Sequence, residues 1–209
     1  MFNLEPADII LSLNTRGDLF SRVKRWAIGL FDHIFMYMGE LGVIKEGYSG
    51  ELLNVPMLFE SDGRGVVLGS LSSRYGEQVV VMRITELRLK PRSRGIDKAF
   101  HMEHISKLLQ EAIKLASDRQ AYYDYFCVVH SIIPRIIYEK LGIPLELIPG
   151  WLRYQRDPYQ ICSEAILEIS TRAGIPFLRD DIVPLPGDFF DSPVLKPVWE
   201  GELNESIVK

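Results

Sequence analysis

Five consecutive apolar residues, Ile34-Phe35-Met36-Tyr37-Met38, set the first constraint on the fold. A strand with one wet face alternates apolar and polar side chains. This run does not, so it reads as a strand buried on both faces. His33 begins it and Gly39 ends it. Residues 7–13, 52–60, 66–68 and 78–84 are further short strand candidates. Pro56 weakens the 52–60 strand or puts it at a sheet edge, because proline offers no N–H to a ladder. Residues 40–50 read as a hairpin loop, and Ser61-Asp62-Gly63-Arg64-Gly65 as a turn. Neighbouring strands joined by such short loops favour an antiparallel sheet.

Helical periodicity comes before and after these strands. Asp18 can cap a helix in which Leu19, Phe20, Val23, Trp26, Ala27 and Leu30 recur at helical spacing. Its other side carries Arg22, Lys24 and Arg25, read as a solvated basic face. Residues 96–116 form a longer amphipathic helix, with Phe100, Ile105, Leu108, Leu109, Ile113 and Leu115 as its apolar positions. His101 and His104 are one turn apart on it and read as solvated. Residues 128–141 can form another helix, with Pro134 near its first turn or kinking it. Residues 143–158 read as a connecting loop that shows Trp151, Arg153, Tyr154 and Arg156. A short helix follows at 162–171, with Gly174 suited to its C-terminal cap. Residues 183–190 read as extended and docked. The expected class is α+β, an antiparallel sheet packed with helices in one domain spanning 1–209, with a helical and loop insertion at about 127–158.

Composition narrows the partners. Apolar residues make up 47% and charged residues 25%, the balance of a chain that buries a core. A net charge of −4 argues against a general nucleic-acid binder, which carries a basic face. No apolar run reaches the roughly 18 residues of a membrane span. The opening Met1-Phe2-Asn3-Leu4-Glu5-Pro6 lacks the basic and then apolar pattern of a signal peptide, so a cytoplasmic setting is expected, with export by another route left open. Two cysteines, Cys127 and Cys162, make no disulfide framework. With no Cys-x-x-Cys and no His-x-x-x-His pair, neither a structural zinc site nor another cofactor is expected.

The candidate chemistry lies in Tyr159-Gln160-Ile161-Cys162-Ser163-Glu164-Ala165-Ile166. Here a cysteine stands where an extended or looping segment meets an apolar helix. A cysteine attacks as its thiolate, so a site that uses it must lower its pKa. A helix N-terminus does so through its dipole and free N–H groups, which can also receive an oxyanion. A neighbouring imidazolium does so by charge, and His33 is the best candidate. A base histidine needs an acceptor on its second nitrogen. If the two strands pair antiparallel, Glu60 can sit beside His33; Asp32 and Asp62 are the other candidates. By residue type alone, a cysteine placed like Cys162 is more often a small buried hydrophobe, and a histidine placed like His33 more often a structural strand-end residue.

The order of short motifs carries a resemblance. Phe20-Ser21-Arg22 through Trp26, Asp32-His33-Ile34-Phe35-Met36-Tyr37, Phe59-Glu60-Ser61, Tyr123-Asp124 and Cys162-Ser163-Glu164 resemble the circularly permuted branch of the NlpC-type papain-like hydrolases, above all the YiiX/YebB-like group. Pro6-Ala7-Asp8-Ile9-Ile10 is similar to that group's Pro-Gly-Asp start, with alanine in place of glycine. The stretch from Leu185-Pro186-Gly187-Asp188 to Ser192-Pro193 is similar to its closing elements. Histidine first and cysteine late is the specific part of the pattern. The resemblance implies a permuted papain-like fold and cleavage or transfer at an amide or ester carbonyl through a thioester. It implies Cys162 as nucleophile, His33 as base, Glu60 as third polar member, and Tyr123 and Asp124 as a wall of the substrate pocket. The segment between Asp124 and Cys162 is longer than the compact members need.

Three activities compete. One is an amidase or peptidase acting on cell-wall-type peptides or related amides. The second is an acyltransferase or thioesterase on lipid or acyl substrates, mildly favoured by the aromatic loop at 147–159. The third is a non-catalytic binding module on the same scaffold.

Overall fold

The computed structural model describes residues 2–13, 15, 29–44, 52–62, 65–85, 96–118, 137–138, 142, 147, 161–178 and 184–208. Six strands among them form one antiparallel sheet in the order β4-β3-β2-β1-β5-β6. They are β1 (Ile9–Leu13), β2 (Phe31–Ile44), β3 (Leu52–Asp62), β4 (Gly65–Ser70), β5 (Gln78–Ile84) and β6 (Leu195–Glu202). Two longer helices are described, α1 (Ile96–Ser117) and α2 (Cys162–Arg172). The α+β class and the antiparallel sheet agree with the expectation from sequence.

The double-sided apolar run has a direct cause. One face of the sheet, through Ile9, Leu11, Ile34, Met36 and Met82, packs on α1 and α2 by way of Leu108, Ala112, Ala165, Ile166 and Ile169. The other face, through Ile10, Phe35, Tyr37, Leu58 and Val81, is covered by Leu4, Leu71, Leu203, Ile207 and Val208. The chain ends therefore form the second cover. Ile34, Phe35 and Met36 are each 0% exposed. Burial of each such side chain contributes about 1.5–3 kcal/mol, which makes this strand the anchor of the sheet.

Several boundaries differ from the sequence reading. Gly39 does not end β2; the strand continues to Ile44, so residues 40–44 are ladder rather than loop. Gly39 sits at φ +88 where the pairing with β3 slips between Tyr37 and Gly39. A glycine there marks a bulge, which looks like a strand end in sequence. β3 likewise runs two residues past Glu60, to Asp62. Pro56 lies within β3 opposite Glu40, outside the Met57–Asp62 stretch that β4 pairs with, so it meets an edge only locally. Residues 186–189 form a 3-10 turn rather than an extended tail, because the Asp188 carboxylate accepts the Leu185 N–H at 2.7 Å and closes it. β6 gave no clear sequence signal, since it is an edge strand with exposed Lys196, Pro197 and Val198. His104 is half-buried rather than solvated, with Nδ1 3.3 Å from the Ala173 carbonyl. The 18–28 helix with its basic face, and most of the 127–158 insertion, lie outside the described residues.

The N-terminal turn adds a detail to the resemblance. Asp8 N–H bonds the Glu5 carbonyl at 3.0 Å, closing a turn with Pro6 and Ala7 at its centre. Ala7 takes φ +74, a conformation that glycine adopts without strain. Glycine at this place in a Pro-Gly-Asp start thus has a backbone reason.

At Gly39, an added Cβ would stand 3.2 Å from Pro6 Cγ in a conformation that L residues disfavour. Gly39→Ala is expected to lower stability by about 1–2 kcal/mol. A urea midpoint unchanged from the parent would show that the bulge does not need glycine.

Candidate functional site

The site forms where two strands part. β2 pairs with β1 from Phe31 to Met36, and with β3 from Met36 onward. Past the Met36–Phe59 pair, β3 continues beside β4 to Asp62. The Tyr37 N–H bonds the Asp8 carbonyl on the β1 side at 2.9 Å. Alternation then turns the Ile34 N–H away from β1, toward the side that β3 has left. It meets the Cys162 sulfur, which also receives the Ser163 N–H. A sulfur from the helix layer thus takes an N–H that a paired strand would otherwise have used.

Each residue of the Cys-Ser-Glu motif has a separate task at the start of α2. Cys162 is the first helical residue and is buried. The Ala165 N–H bonds the Ile161 carbonyl at 3.0 Å, so the three N–H groups before it point out of the helix end. Ser163 Oγ donates to the Pro184 carbonyl at 2.6 Å, tying the helix start to the closing segment. A Glu164 carboxylate oxygen accepts the Ile161 N–H at 3.1 Å and holds the entry to the helix. Behind the motif, Ala165, Ile166 and Ile169 are fully buried. At the far end Gly174, at φ +82, reverses the chain; its N–H bonds Thr171 and the Ile175 N–H bonds Ser170. Helix position is thereby set at both ends, and with it the depth of the sulfur.

His33 reaches this sulfur from the neighbouring strand. Its ring lies 5.9 Å from that of Phe35, two residues on. Glu60 lies two residues from Leu58, and Phe35 and Leu58 share one apolar cluster. His33 and Glu60 thus meet across the parted strands, with Nε2 to Oε2 at 2.8 Å. With Nε2 engaged, Nδ1 is the nitrogen left for the sulfur, and the two side chains are hydrogen-bonded. The antiparallel arrangement expected to bring Glu60 to His33 is the one observed.

Sequence reasoning missed the next members. Arg74, from the 3-10 turn Leu71–Arg74, donates from Nη2 to Glu60 Oε2 at 2.5 Å. The same nitrogen is 3.2 Å from His33 Nε2, and its guanidinium lies 5.8 Å from the Phe35 ring centre. Nη1 donates to Glu77 Oε1 at 3.1 Å, and Ser12 Oγ donates to Glu77 Oε2 at 2.7 Å. Ser12 is the strand partner of His33. Nothing in the local sequence marks Arg74 as a partner of Glu60.

Burial alone would push the His33 pKa down. The charge of Cys162 and its hydrogen bond outweigh this, the Glu60 hydrogen bond adds to them, and Arg74 opposes them; the result is a value of about 9. Burial alone would push the Cys162 thiol up. The His33 charge and hydrogen bond, with the Ile34 and Ser163 N–H groups, bring it below its usual value instead. Glu60, only 3% exposed, is also held below its usual range: burial is outweighed by its hydrogen bond from His33 and the charge of Arg74. These directions together favour a thiolate–imidazolium pair with an ionised carboxylate behind it.

Tyr123, Asp124 and Cys127 lie outside the described residues, as does the 147–159 loop apart from Leu147. Cys162 is a free cysteine. Among the described residues, no three or more His, Cys, Asp or Glu side chains are grouped to hold a metal ion. Arg74 adds positive charge beside His33 and Glu60, so this donor set does not fit a bound cation. No described helix is long and apolar enough to cross a membrane.

Comparison with known proteins gives a likeness of fold. No family model and no curated protein matches the chain. Among solved structures, the metalloprotein YiiX from Escherichia coli O157:H7 (DUF1105) superposes with a TM-score of 0.56 at 17% identity. The match covers 97% of this chain and 100% of that one. At this identity the likeness is one of fold alone.

The electrostatics predict a titration. His33 should titrate near 9 by NMR, against an ordinary 6.5. In Cys162→Ala the negative charge that raises it is gone, leaving burial and Arg74 to lower it against Glu60 alone. Its pKa should fall by more than about one unit; an unchanged value would mean that the sulfur carries no charge.

Proposed function

We propose that the chain is a cysteine hydrolase of the circularly permuted NlpC-type papain-like kind, acting on an amide carbonyl through a thioester. The observation that carries this reading is the unbroken chain from Cys162 through His33 to Glu60 at a helix N-terminus. A structural cysteine needs none of these devices, whereas each of them activates a nucleophile. The likeness to YiiX supports the fold on which the reading rests.

The reaction follows from the resting state. The Cys162 thiolate attacks the carbonyl carbon, and the carbonyl π electrons move to oxygen. N–H groups at the start of α2 face the oxyanion. The His33 imidazolium donates its Nδ1 proton to the leaving nitrogen, and the C–N bond breaks to leave a thioester on Cys162. His33, now neutral, takes a proton from water, whose oxygen attacks the thioester. The C–S bond breaks, and the acid product leaves a thiolate paired again with imidazolium. Glu60 keeps Nε2 protonated throughout, so that Nδ1 remains the nitrogen that moves the proton. Peptides of the cell-wall type, or related amides, are the proposed substrates; Tyr123 and Asp124 are proposed at the pocket wall.

A second reading, transfer or hydrolysis of acyl groups, is favoured by one surface feature. Leu30 is 58% exposed and Phe190 42% exposed, and Phe190 stacks on Phe31 at 5.6 Å. This apolar lip lies beside the start of β2, close in sequence to His33.

Incubation with muropeptides and with acyl esters, followed by intact-mass analysis after acid quench, separates the readings. A peptide-derived adduct on Cys162 supports the first and a fatty-acyl adduct the second. Cys162→Ala and His33→Ala should each lower turnover by about a hundredfold or more, while Cys127→Ala leaves it intact. Turnover that survives Cys162→Ala would end both readings.

A further inference from the structure

We propose that Arg74 is a positioning residue that acts through Glu60: anchored by Glu77 and Ser12, it keeps the Glu60 carboxylate charged and turned to His33 Nε2. This inference rests on the Cys162–His33 pair described above and extends it outward by two side chains.

The geometry makes Arg74 part of a closed ring. His33 Nε2 meets Glu60 Oε2, which also takes Arg74 Nη2. Arg74 Nη1 meets Glu77, Glu77 takes the Ser12 hydroxyl, and Ser12 sits opposite His33 on β1. Both remaining neighbours of Glu60 on this ring are thus cations. Arg74 itself is 23% exposed and Glu60 3% exposed, so the guanidinium is what joins a buried carboxylate to the more open Glu77.

The ring decides between two imidazole tautomers. Imidazolium Nε2–H and Arg74 Nη2–H are both donors and cannot bond each other, although they are 3.2 Å apart. Both turn to Glu60 Oε2 instead. If Glu60 were protonated, its acceptor strength would fall, and a bare Nε2 could accept from Arg74. The proton would then sit on Nδ1 facing the sulfur, the wrong tautomer for a base. An ionised Glu60 prevents this, and Arg74 keeps it ionised. Arg74 also repels the imidazolium directly, but this is the smallest of the named influences on His33. Arg74 also holds Glu60 Oε2, the atom that takes the His33 Nε2–H, and we infer that this indirect support outweighs the repulsion. Loss of Arg74 should let Glu60 protonate at higher pH, and the thiolate with it.

The test uses the full chain with Cys127→Ala, which leaves Cys162 as the one thiol. The rate of alkylation by iodoacetamide is followed from acid to neutral pH in the parent, Arg74→Met, Arg74→Lys, Glu60→Gln and the Arg74→Met/Glu60→Gln double variant. The acid limb of the parent should lie well below the ordinary thiol range. Arg74→Met should move it up by about one pH unit, roughly a tenfold slowing on the limb. Arg74→Lys should recover part of the shift, and the double variant should go no further than Glu60→Gln alone. An Arg74→Met profile that superposes on the parent, while Glu60→Gln shifts, would overturn the inference and leave the dyad standing. Additive shifts in the double variant would also overturn it, since Arg74 would then act independently of Glu60. A parent with an ordinary thiol would remove the dyad and this inference together. If Arg74→Met does not fold by circular dichroism, Glu77→Gln takes its place: a smaller upward shift supports the inference, and none overturns it.

Discussion

A thiolate buried beneath a sheet is stable only if opposite charge and N–H groups surround it, and the groups around Cys162 meet this requirement. The sulfur faces imidazolium, the imidazolium faces Glu60, Glu60 faces Arg74 and Arg74 faces Glu77. Charges alternate along this line from the helix layer to the rim of the sheet. Each inner member has a partner on either side, so removing one leaves its neighbours with half their support and shifts the charge balance along the line. The line therefore acts as a unit.

Backbone architecture makes room for it. A fully paired β2–β3 ladder would use the Ile34 N–H within the sheet. Because the strands part after Met36–Phe59, that N–H turns to the sulfur, and the gap admits the His33–Glu60 contact. Such an opening weakens a sheet. It is tolerated because both faces of β2 are covered: helices lie on one side, and the chain ends with the Leu71 turn lie on the other. The apolar strand and the polar opening are thus two parts of one arrangement. Arg74 belongs to both, since its turn carries Leu71 into the second core while its guanidinium reaches Glu60 over the Phe35 ring.

Sequence reading captured what depends on short-range pattern. Ile34 to Met38 could be read as a doubly buried strand because an apolar run without alternation has few other uses. Glu60 could be placed beside His33 because antiparallel pairing brings the ends of neighbouring strands together. Gly39 misled, since a bulge and a strand end both favour glycine. β6 was missed because an edge strand needs no apolar stripe; its Pro197 and charged neighbours look like loop. Arg74, Glu77 and Ser12 were not legible at all. Their roles depend on which of many polar side chains the folded sheet brings within reach, and no spacing in the chain encodes that.

The charge on the resting sulfur is the claim on which the rest depends. In Cys127→Ala protein, the ultraviolet absorbance of the thiolate can be followed as pH is lowered from neutrality. The structure predicts that Cys162 absorbs as a thiolate at neutral pH and loses that signal in a single step well below the ordinary thiol value of about 8.5. A sulfur that is protonated at neutral pH and ionises only at or above that value would contradict the account.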